Sequence, residues 1–200
     1  MARPRVHDEA LAQVLLEEAT RIVGLEGPDA LSLRRLTQSA GTSTSAIYSL
    51  YGSRDALLAA VYQRALGSFG EATVVSPTEE PLADLFTMGV LYRQWALDHP
   101  QMFPVMFGRR PNDTAASIRE RTRSTVEPLL DGVQRCLDAG ILKGAHPGTI
   151  ASQLWSSVHG FVTLELDGLL ANALPGEEQG ITAQEHFETL LRASVAHWRA

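Results

Sequence analysis

A hydroxyl-rich segment near the N-terminus contains the residue types best suited to specific polar recognition. Residues 42–49 read TSTSAIYS, and three apolar positions give the segment one narrow edge at helical spacing: Ala46, Ile47 and Leu50. On a helix the remaining side chains face outward, where hydroxyls and methyls can contact phosphates and base edges: Thr44, Ser45, Tyr48 and Ser49. Tyr48 has no obvious buried partner, so we expect its hydroxyl to be free to reach a phosphate.

Catalytic and metal-binding patterns are not found in the sequence. The six histidines do not cluster at metal-ligand spacing, and we find no glycine-rich phosphate loop, nucleophile elbow or convincing carboxylate pair. Glu165 and Asp167 are acids on adjacent turns, which has a simple structural explanation. The single cysteine, Cys136, excludes an intrachain disulfide, fits a reducing cytosol and is expected to be buried and inert. We therefore expect no enzyme, no metal and no cofactor.

The charge of the chain restricts where nucleic acid could bind. The net charge is −6, so the molecule as a whole should repel DNA and anionic membranes. The segment from Ser32 to Arg64 nevertheless carries four arginines and one acid, while residues 66–200 account for the whole negative excess. Any contact with DNA must therefore be local, and it should weaken readily with salt.

No segment predicts export or membrane insertion. The N-terminus has no apolar core of a secretory signal, and the uncharged run from Gly144 to Leu164 contains too many polar residues to span a bilayer. We expect a cytoplasmic protein without membrane contact.

Apolar residues recur at spacings of three and four through most of the 200 residues, and no stretch alternates as a strand would. The pattern predicts an all-α protein of about nine helices. Capping signals and Gly or Pro breaks place the longer segments at Asp8–Val23, Ser32–Ala40, about Ser43–Ser49, 53–70, Leu82–Asp98, about Thr114–Ala139, about Gly148–Leu170 and from Thr182 to near Trp198. Arg109–Asn112 is predicted as a loop, and Pro128 is expected to kink its helix.

The second and third predicted helices are short and joined by a turn at Gly41, which matches a helix-turn-helix. We expect a three-helix DNA-binding domain at 1–52, a connecting helix at about 53–70, and a C-terminal domain for ligand binding and dimerisation at 71–200.

Residues 30–58, ALSLRRLTQSAGTSTSAIYSLYGSRDALL, resemble the DNA-binding segment of TetR/AcrR-type transcriptional regulators. The shared features are Ala40-Gly41, the Ile47-Tyr48 pair, and a small-residue cap before helix four. Two positions depart from the family pattern: Tyr51 stands where Phe is usual, and Thr44 and Ser49 lie where basic residues are often found. The segment and its resemblance together predict DNA contacts from Arg34, Thr37, Gln38, Ser43, Thr44, Ser45, Tyr48, Ser49, Ser53 and Arg54, with Tyr51 in the core.

The C-terminal half resembles a TetR subgroup in which a Trp is followed four residues later by His-Gly, as at Trp155, His159 and Gly160. Met and aromatic side chains on one helical face and in the segment 99–107 suggest an adaptable apolar pocket. Its candidates are Met88, Leu91, Tyr92, Trp95, Met102, Phe103, Met106, Phe107, Trp155, His159 and Phe161. A filled core explains many of these residues equally well, and a carbonyl partner in the core would explain His159.

Ser152, Ser156 and Gly160 form a ridge of small residues that lets another helix approach closely. We expect this helix to belong to a second subunit, with the last helix completing the interface through Leu190, Leu191, Val195 and Trp198; a tight contact within one chain is the alternative.

The resemblance implies a homodimeric, ligand-responsive transcriptional regulator, most simply a repressor. It would bind a near-palindromic operator in double-stranded DNA and be released by a small apolar or amphipathic effector. The alternatives are a helical ligand-binding or scaffold protein without specific DNA binding and, with fold-level plausibility alone, an enzyme.

Overall fold

The computed structural model describes residues 5–108, 113–170 and 181–200. Over these ranges the regular structure is helical, with an isolated bridge between Leu142 and Arg199. The helices are α1 (Arg5–Glu26), α2 (Leu33–Ser39), α3 (Thr44–Tyr51), α4 (Arg54–Ala72), α5 (Pro81–Asp98), α6 (Met102–Phe107), α7 (Ala115–Asp138), α8 (Pro147–Leu166) and α9 (Ala183–Ala196), with a 3-10 turn at Pro28–Ala30. The all-α prediction is confirmed.

Hydroxyl caps start the short helices where the sequence predicts them. The Ser32 hydroxyl accepts a hydrogen bond from the Arg35 amide at 3.5 Å, and Ser43 accepts from Ala46 at 3.2 Å. Thr182 and Glu185 form a capping box at the start of α9, which begins next to the predicted position. Because α2 and α3 span only seven and eight residues, the four unpaired amides at each helix start are about half of all amides in the helix, and each cap satisfies one of them.

Two positive-φ glycines make the predicted turns. Gly41 has φ 61° between α2 and α3, and Gly140 has φ 67° after α7. At the second turn the Gly140 amide donates to Leu137 O and the Ile141 amide to Cys136 O, both near 3.0 Å. These bonds close the left-handed cap that the Gly-Ile pair predicts.

Helix bounds differ from the predictions by a few residues. α1 is longer at both ends than predicted, and residues 102–107, for which the sequence pattern predicts no defined element, form α6. Pro128 lies inside α7. α8 ends at Leu166 rather than near Leu170, because Gly168 takes φ 69° just beyond it. The predicted loop at 109–112 lies outside the described residues.

Two compact units can be distinguished, the first being Met1–Phe69 with His99–Asp113 and the second Gly70–Asp98 with Thr114–Ala200. In the first unit α1 contacts α2, α3 and α6. In the second unit α5, α7, α8 and α9 surround an apolar core that includes Leu85, Val133, Ile150 and Leu154. α6 therefore groups with the helix-turn-helix, whereas the predicted domain boundaries would place it with the C-terminal domain.

Cys136 belongs to this second core and is fully buried, as predicted. Burial raises the pKa of its thiol, because the thiolate loses hydration. No described helix has the length and apolarity that crossing a bilayer would require.

Candidate functional site

The outward face of α3 carries the hydroxyl side chains that the sequence places there. Ile47 is fully buried, while Tyr48 is 54% exposed and Thr44, Ser45 and Ser49 are also exposed. The orientation predicted from helical spacing is therefore confirmed. α3 presents hydroxyls, methyls and one phenol to solvent, which suits direct contact with base edges and phosphates more than clamping by charge.

Ser43 and Ser53 start α3 and α4, and their hydroxyl oxygens accept from the Ala46 amide at 3.2 Å and the Ala56 amide at 3.0 Å. Both serines are exposed. Each hydroxyl hydrogen therefore remains able to donate to an anion at the first turn of its helix, where the backbone amides already favour negative charge.

α2 exposes four polar side chains, Arg34, Arg35, Gln38 and Ser39, and the first and third of these are predicted DNA contacts. Thr37 differs from the expectation, because it is buried and its hydroxyl donates to Arg34 O at 2.9 Å. Arg35 is held by Glu26 through two hydrogen bonds of 2.6 Å. Of the predicted α2 contacts, Arg34 and Gln38 are thus exposed, while Thr37 is not.

Arg54 performs a structural task that the sequence does not reveal. Its guanidinium donates to Leu31 O at 2.8 Å and to Pro28 O at 2.7 Å, so it ties the start of α4 to the 3-10 turn before α2. The carbonyls that Arg54 binds are 23 and 26 residues away in the sequence, so no local pattern indicates these bonds. The guanidinium has three further N–H donors and the side chain is 36% exposed, so these bonds leave donors for the predicted phosphate contact.

Tyr51 is half-buried in the first unit, which agrees only in part with the expected core position. Its hydroxyl donates to Ala12 O at 2.6 Å, which anchors the end of α3 on α1. Burial raises the pKa of the phenol. The hydroxyl that Tyr adds to the usual Phe therefore satisfies a backbone carbonyl.

In the second unit, the Trp155–His159 spacing brings both rings to Tyr92 on α5. The Tyr92 hydroxyl lies 2.8 Å from His159 Nδ1, and Trp155 hydrogen-bonds to the same phenol. Burial raises the pKa of Tyr92 above its usual range and lowers the pKa of His159. A neutral His159 accepting the phenol proton at Nδ1 fits both shifts, and this gives the helix pair α5–α8 a polar centre within an apolar environment.

The other pocket candidates fall into both units. Met88, Leu91, Trp95 and Phe161 lie with Tyr92 in the second unit, where Trp95 is fully buried. The α6 residues belong to the first unit, where Phe103 and Met106 are buried and the Phe107 ring lies 5.9 Å from that of Phe69. Within its unit α6 therefore contributes Phe103 and Met106 to the core of the DNA-binding part, whereas Met102 and Phe107 are half-buried. The pocket role of these four residues stays a prediction.

A buried ion pair involves the residue that follows Tyr92, and the sequence does not predict it. Arg93 donates to both oxygens of Glu165, at 2.7 and 2.5 Å, and to Gln184 Oε1 at 2.6 Å. The side chains of the pair are 10% and 13% exposed, and the guanidinium lies 5.5 Å from the Phe187 ring centre. The group joins α5, α8 and α9. A sequence separation of 72 residues left no local pattern by which to find it.

The predicted dimer residues divide into two sets. Ser152 and Ser156 are exposed with their hydroxyls bonded to their own helix, and a Cβ on Gly160 would meet no described atom within 4 Å. Leu191 and Val195 are instead buried in the core of their own unit, which removes them from a surface interface. Leu190 and Trp198 are half-buried. The small-residue ridge is therefore open in the single chain.

These features define a helical protein that joins a helix-turn-helix unit to a second unit with a mixed apolar and polar interior. In the described residues no three His, Cys, Asp or Glu side chains could hold a metal ion. The model for the "Tetracyclin repressor-like, C-terminal domain" matches residues 85–193, and the model for "Bacterial regulatory proteins, tetR family" matches residues 15–61. The chain belongs to the TetR family of transcription regulators.

Relatives support this assignment. A Mycobacterium tuberculosis protein described as an uncharacterized HTH-type transcriptional regulator is 27% identical over 164 residues, which are 78% of this chain and 70% of that protein. A TetR family transcription regulator from Marinobacter aquaeolei VT8 has a TM-score of 0.73 at 20% identity, covering 96% and 98% of the two chains. The TetR family regulator PfmR from Thermus thermophilus has a TM-score of 0.65 at 18% identity, covering 90% and 96%. Both structures share the fold.

Proposed function

We propose that this protein is a ligand-responsive repressor that binds a near-palindromic operator as a homodimer and acts in the cytoplasm. The observation that carries the proposal is α3, an eight-residue helix whose hydroxyl face is solvent-exposed while Ile47 anchors it in the core. In a helix-turn-helix such a helix enters the major groove, and two copies related by a two-fold axis read two half-sites.

Base contacts would come from α3, with Thr44, Ser45, Tyr48 and Ser49 as the groups available. Phosphate contacts would come from Arg34 and Gln38 on α2 and from the helix starts at Ser43 and Ser53. Thr37 supports this surface from within the unit, where its hydroxyl is bonded, whereas Arg54 has N–H donors left for a phosphate beyond its two carbonyl bonds. With so few free cations the affinity should depend on many short polar contacts.

The dimer interface is proposed on the exposed ridge of α8, from Ser152 through Ser156 to Gly160, with Leu190 of α9. Small residues allow the backbones of two helices to approach closely, which increases their contact area. The open space at Gly160 among the described residues supports an occupant from outside the chain rather than a tight contact with another described helix.

A small apolar or amphipathic effector would bind the second unit and favour a spacing of the two α3 helices that no longer fits successive half-sites. Its effect is limited by the difference between its affinities for the two conformations.

The decisive experiment is titration of fluorescein-labelled duplexes from the DNA upstream of the gene with the full chain, at about 50 and 200 mM salt. We expect one duplex to bind specifically, with an affinity that falls with salt. The Tyr48→Phe variant removes one exposed oxygen and should weaken specific binding without changing the circular dichroism melting curve. Absence of specific binding at the lower salt would favour the ligand-binding or scaffold alternative, and unchanged affinity of Tyr48→Phe would remove the role of its hydroxyl.

Sedimentation equilibrium at micromolar concentration tests the dimer. Gly160→Leu should shift the wild-type dimer to monomer while leaving the monomer fold intact, because the added side chain meets open space in the single chain. Gly67→Leu, at a similarly open position in α4, is the matched control and should remain dimeric. A wild-type monomer would exclude this interface.

A further inference from the structure

A groove lies between α5 and α9, and none of the contacts described so far fills it. It encloses about 270 Å³. Phe86, Val90, Leu91 and Leu191 form its apolar wall, while Thr87, Glu188 and Arg192 line it with polar atoms. At about 30 Å³ per non-hydrogen atom, the volume that water occupies in the liquid, the groove holds a ligand of about nine such atoms.

The charged groups of the groove are unequally engaged. One Glu188 oxygen accepts from Gln184 Nε2 at 3.0 Å and the other from Arg192 Nη2 at 3.4 Å. The Arg192 side chain is 68% exposed, and this long contact uses one of its five N–H donors. Glu188 has about two of its four acceptor sites left, whereas Arg192 has four of its five donors left and is the more exposed side chain, 68% against 40%. A ligand carboxylate therefore finds more free hydrogen-bonding groups than a ligand cation, and it can form a forked pair with Arg192.

The groove is connected to the buried ion pair through a chain of side-chain hydrogen bonds. Glu165 binds Arg93, Arg93 binds Gln184, Gln184 binds Glu188 and Glu188 binds Arg192. The chain passes from α8 through α5 to α9 within the second unit. A carboxylate on Arg192 shares the guanidinium with Glu188 and so acts at the outer end of this chain.

We propose that this groove binds an amphipathic monoanion, a carboxylic acid with an unbranched chain of about eight carbons, whose head pairs with Arg192 and whose chain lies on Phe86, Val90 and Leu91. As the effector site of the regulator it rests on the proposed function; as a binding site it does not. Arg192 and Leu190 are two positions apart and thus on opposite sides of α9, so the groove stays open in the proposed dimer.

Isothermal titration calorimetry of the full chain with octanoate, without DNA, tests the binding site. We expect saturable binding, about tenfold weaker in Arg192→Gln because a charge-assisted pair is lost. Thr87→Trp should abolish it, since the indole fills the groove from an exposed position. Arg119→Gln, which removes an equally exposed charge from α7, should bind like the wild type. Octan-1-ol should bind more weakly than octanoate.

Three results would overturn the proposal: no saturable heat with octanoate, equal affinities in Arg192→Gln and Arg119→Gln, or octyltrimethylammonium binding as tightly as octanoate, which would assign the polar end to Glu188. Because Arg192 and Arg119 are exposed, we expect both glutamine variants to fold. Their octanoate affinities can therefore be compared even if Thr87→Trp fails to fold. Adding octanoate to the operator titration is a separate measurement. Octanoate that binds without releasing DNA would leave the site intact and refute its effector role, whereas a chain that binds no DNA would leave the calorimetric result unaffected.

Discussion

The Arg93 guanidinium of α5 and the Glu165 carboxylate of α8 form a buried forked pair, with Nε–Oε2 and Nη2–Oε1 distances of 2.7 and 2.5 Å. Gln184 and the Phe187 ring complete the surroundings of the guanidinium from α9. Three helices of the second unit thus meet at one charged group. Loss of the Arg93 guanidinium would leave Glu165 and Gln184 without this hydrogen-bond donor.

Arg93→Met should lower the free energy of unfolding by about 3 to 5 kcal/mol, because it leaves the Glu165 carboxylate buried without its counter-charge. The double variant Arg93→Met/Glu165→Leu should recover much of this loss, since an apolar pair of similar volume removes the unpaired charge. Urea unfolding of the wild type, both single variants and the double variant measures the coupling. A double variant as unstable as the sum of the singles would contradict the pairing.

Arg54→Met should destabilise the first unit by about 1 to 2 kcal/mol, because the carbonyls of Leu31 and Pro28 lose a charged donor. DNA affinity should fall in parallel with stability, unlike in Tyr48→Phe. Arg34→Met is the control, since this exposed arginine should affect DNA affinity alone. Thermal melting beside operator titration separates the two effects, and an unchanged melting curve for Arg54→Met would rule out the structural role.

Gly24→Ala should destabilise the protein by about 1 to 3 kcal/mol through overpacking. A Cβ on Gly24 would lie 2.1 Å from Gln101 O, a backbone atom that cannot move without shifting the start of α6. Gly67→Ala has open space around its Cβ inside α4 and should instead stabilise by about 0.5 to 1 kcal/mol. Opposite signs of the two changes in urea unfolding are the expected result; equal signs would exclude the close approach of α1 and α6.

Asp84 should make stability pH-dependent at the acid end. Its carboxylate accepts from the Thr78 amide, from Arg135 Nη1 and from the Thr78 hydroxyl, and these bonds lower its pKa to about 2. A depressed folded-state pKa stabilises above the unfolded value of about 3.9, and the stabilisation is lost as the pH falls toward 2. The stability difference between wild type and Asp84→Asn should therefore be present at about pH 6 and shrink below about pH 4 in urea titrations. A pH-independent difference would show that the carboxylate charge plays no part.

Local signals in the sequence were sufficient for the helix starts, the turns and the outward face of α3. Ser32, Ser43 and Thr182 cap amides three residues away, and Gly41 supplies a conformation that other residues avoid. These features depend on neighbours within one turn, so composition and spacing contain them. Ile47 and Tyr48 take opposite environments for the same reason.

Contacts between residues that are distant in the sequence could not be predicted from local patterns. Arg54 looks like any exposed arginine until the Leu31 and Pro28 carbonyls are placed beside it. Leu191 and Val195 suited an interface by spacing, but the same spacing serves the core of a single chain, where they are buried. Residue type alone favours a pocket for the Met and aromatic residues of α6, whereas the unit to which they belong depends on the packing of α6 against α1.

The burial of Cys136 makes the chain suitable for spectroscopic labelling. Its thiol is fully buried with a raised pKa, so maleimide and nitroxide reagents should leave it unmodified at neutral pH. A cysteine introduced at the exposed position Gln63 on α4 would then be the one site that reacts. Pulsed electron resonance on such a protein could follow the separation of two helix-turn-helix units in solution, with and without octanoate, while the native cysteine stays in place.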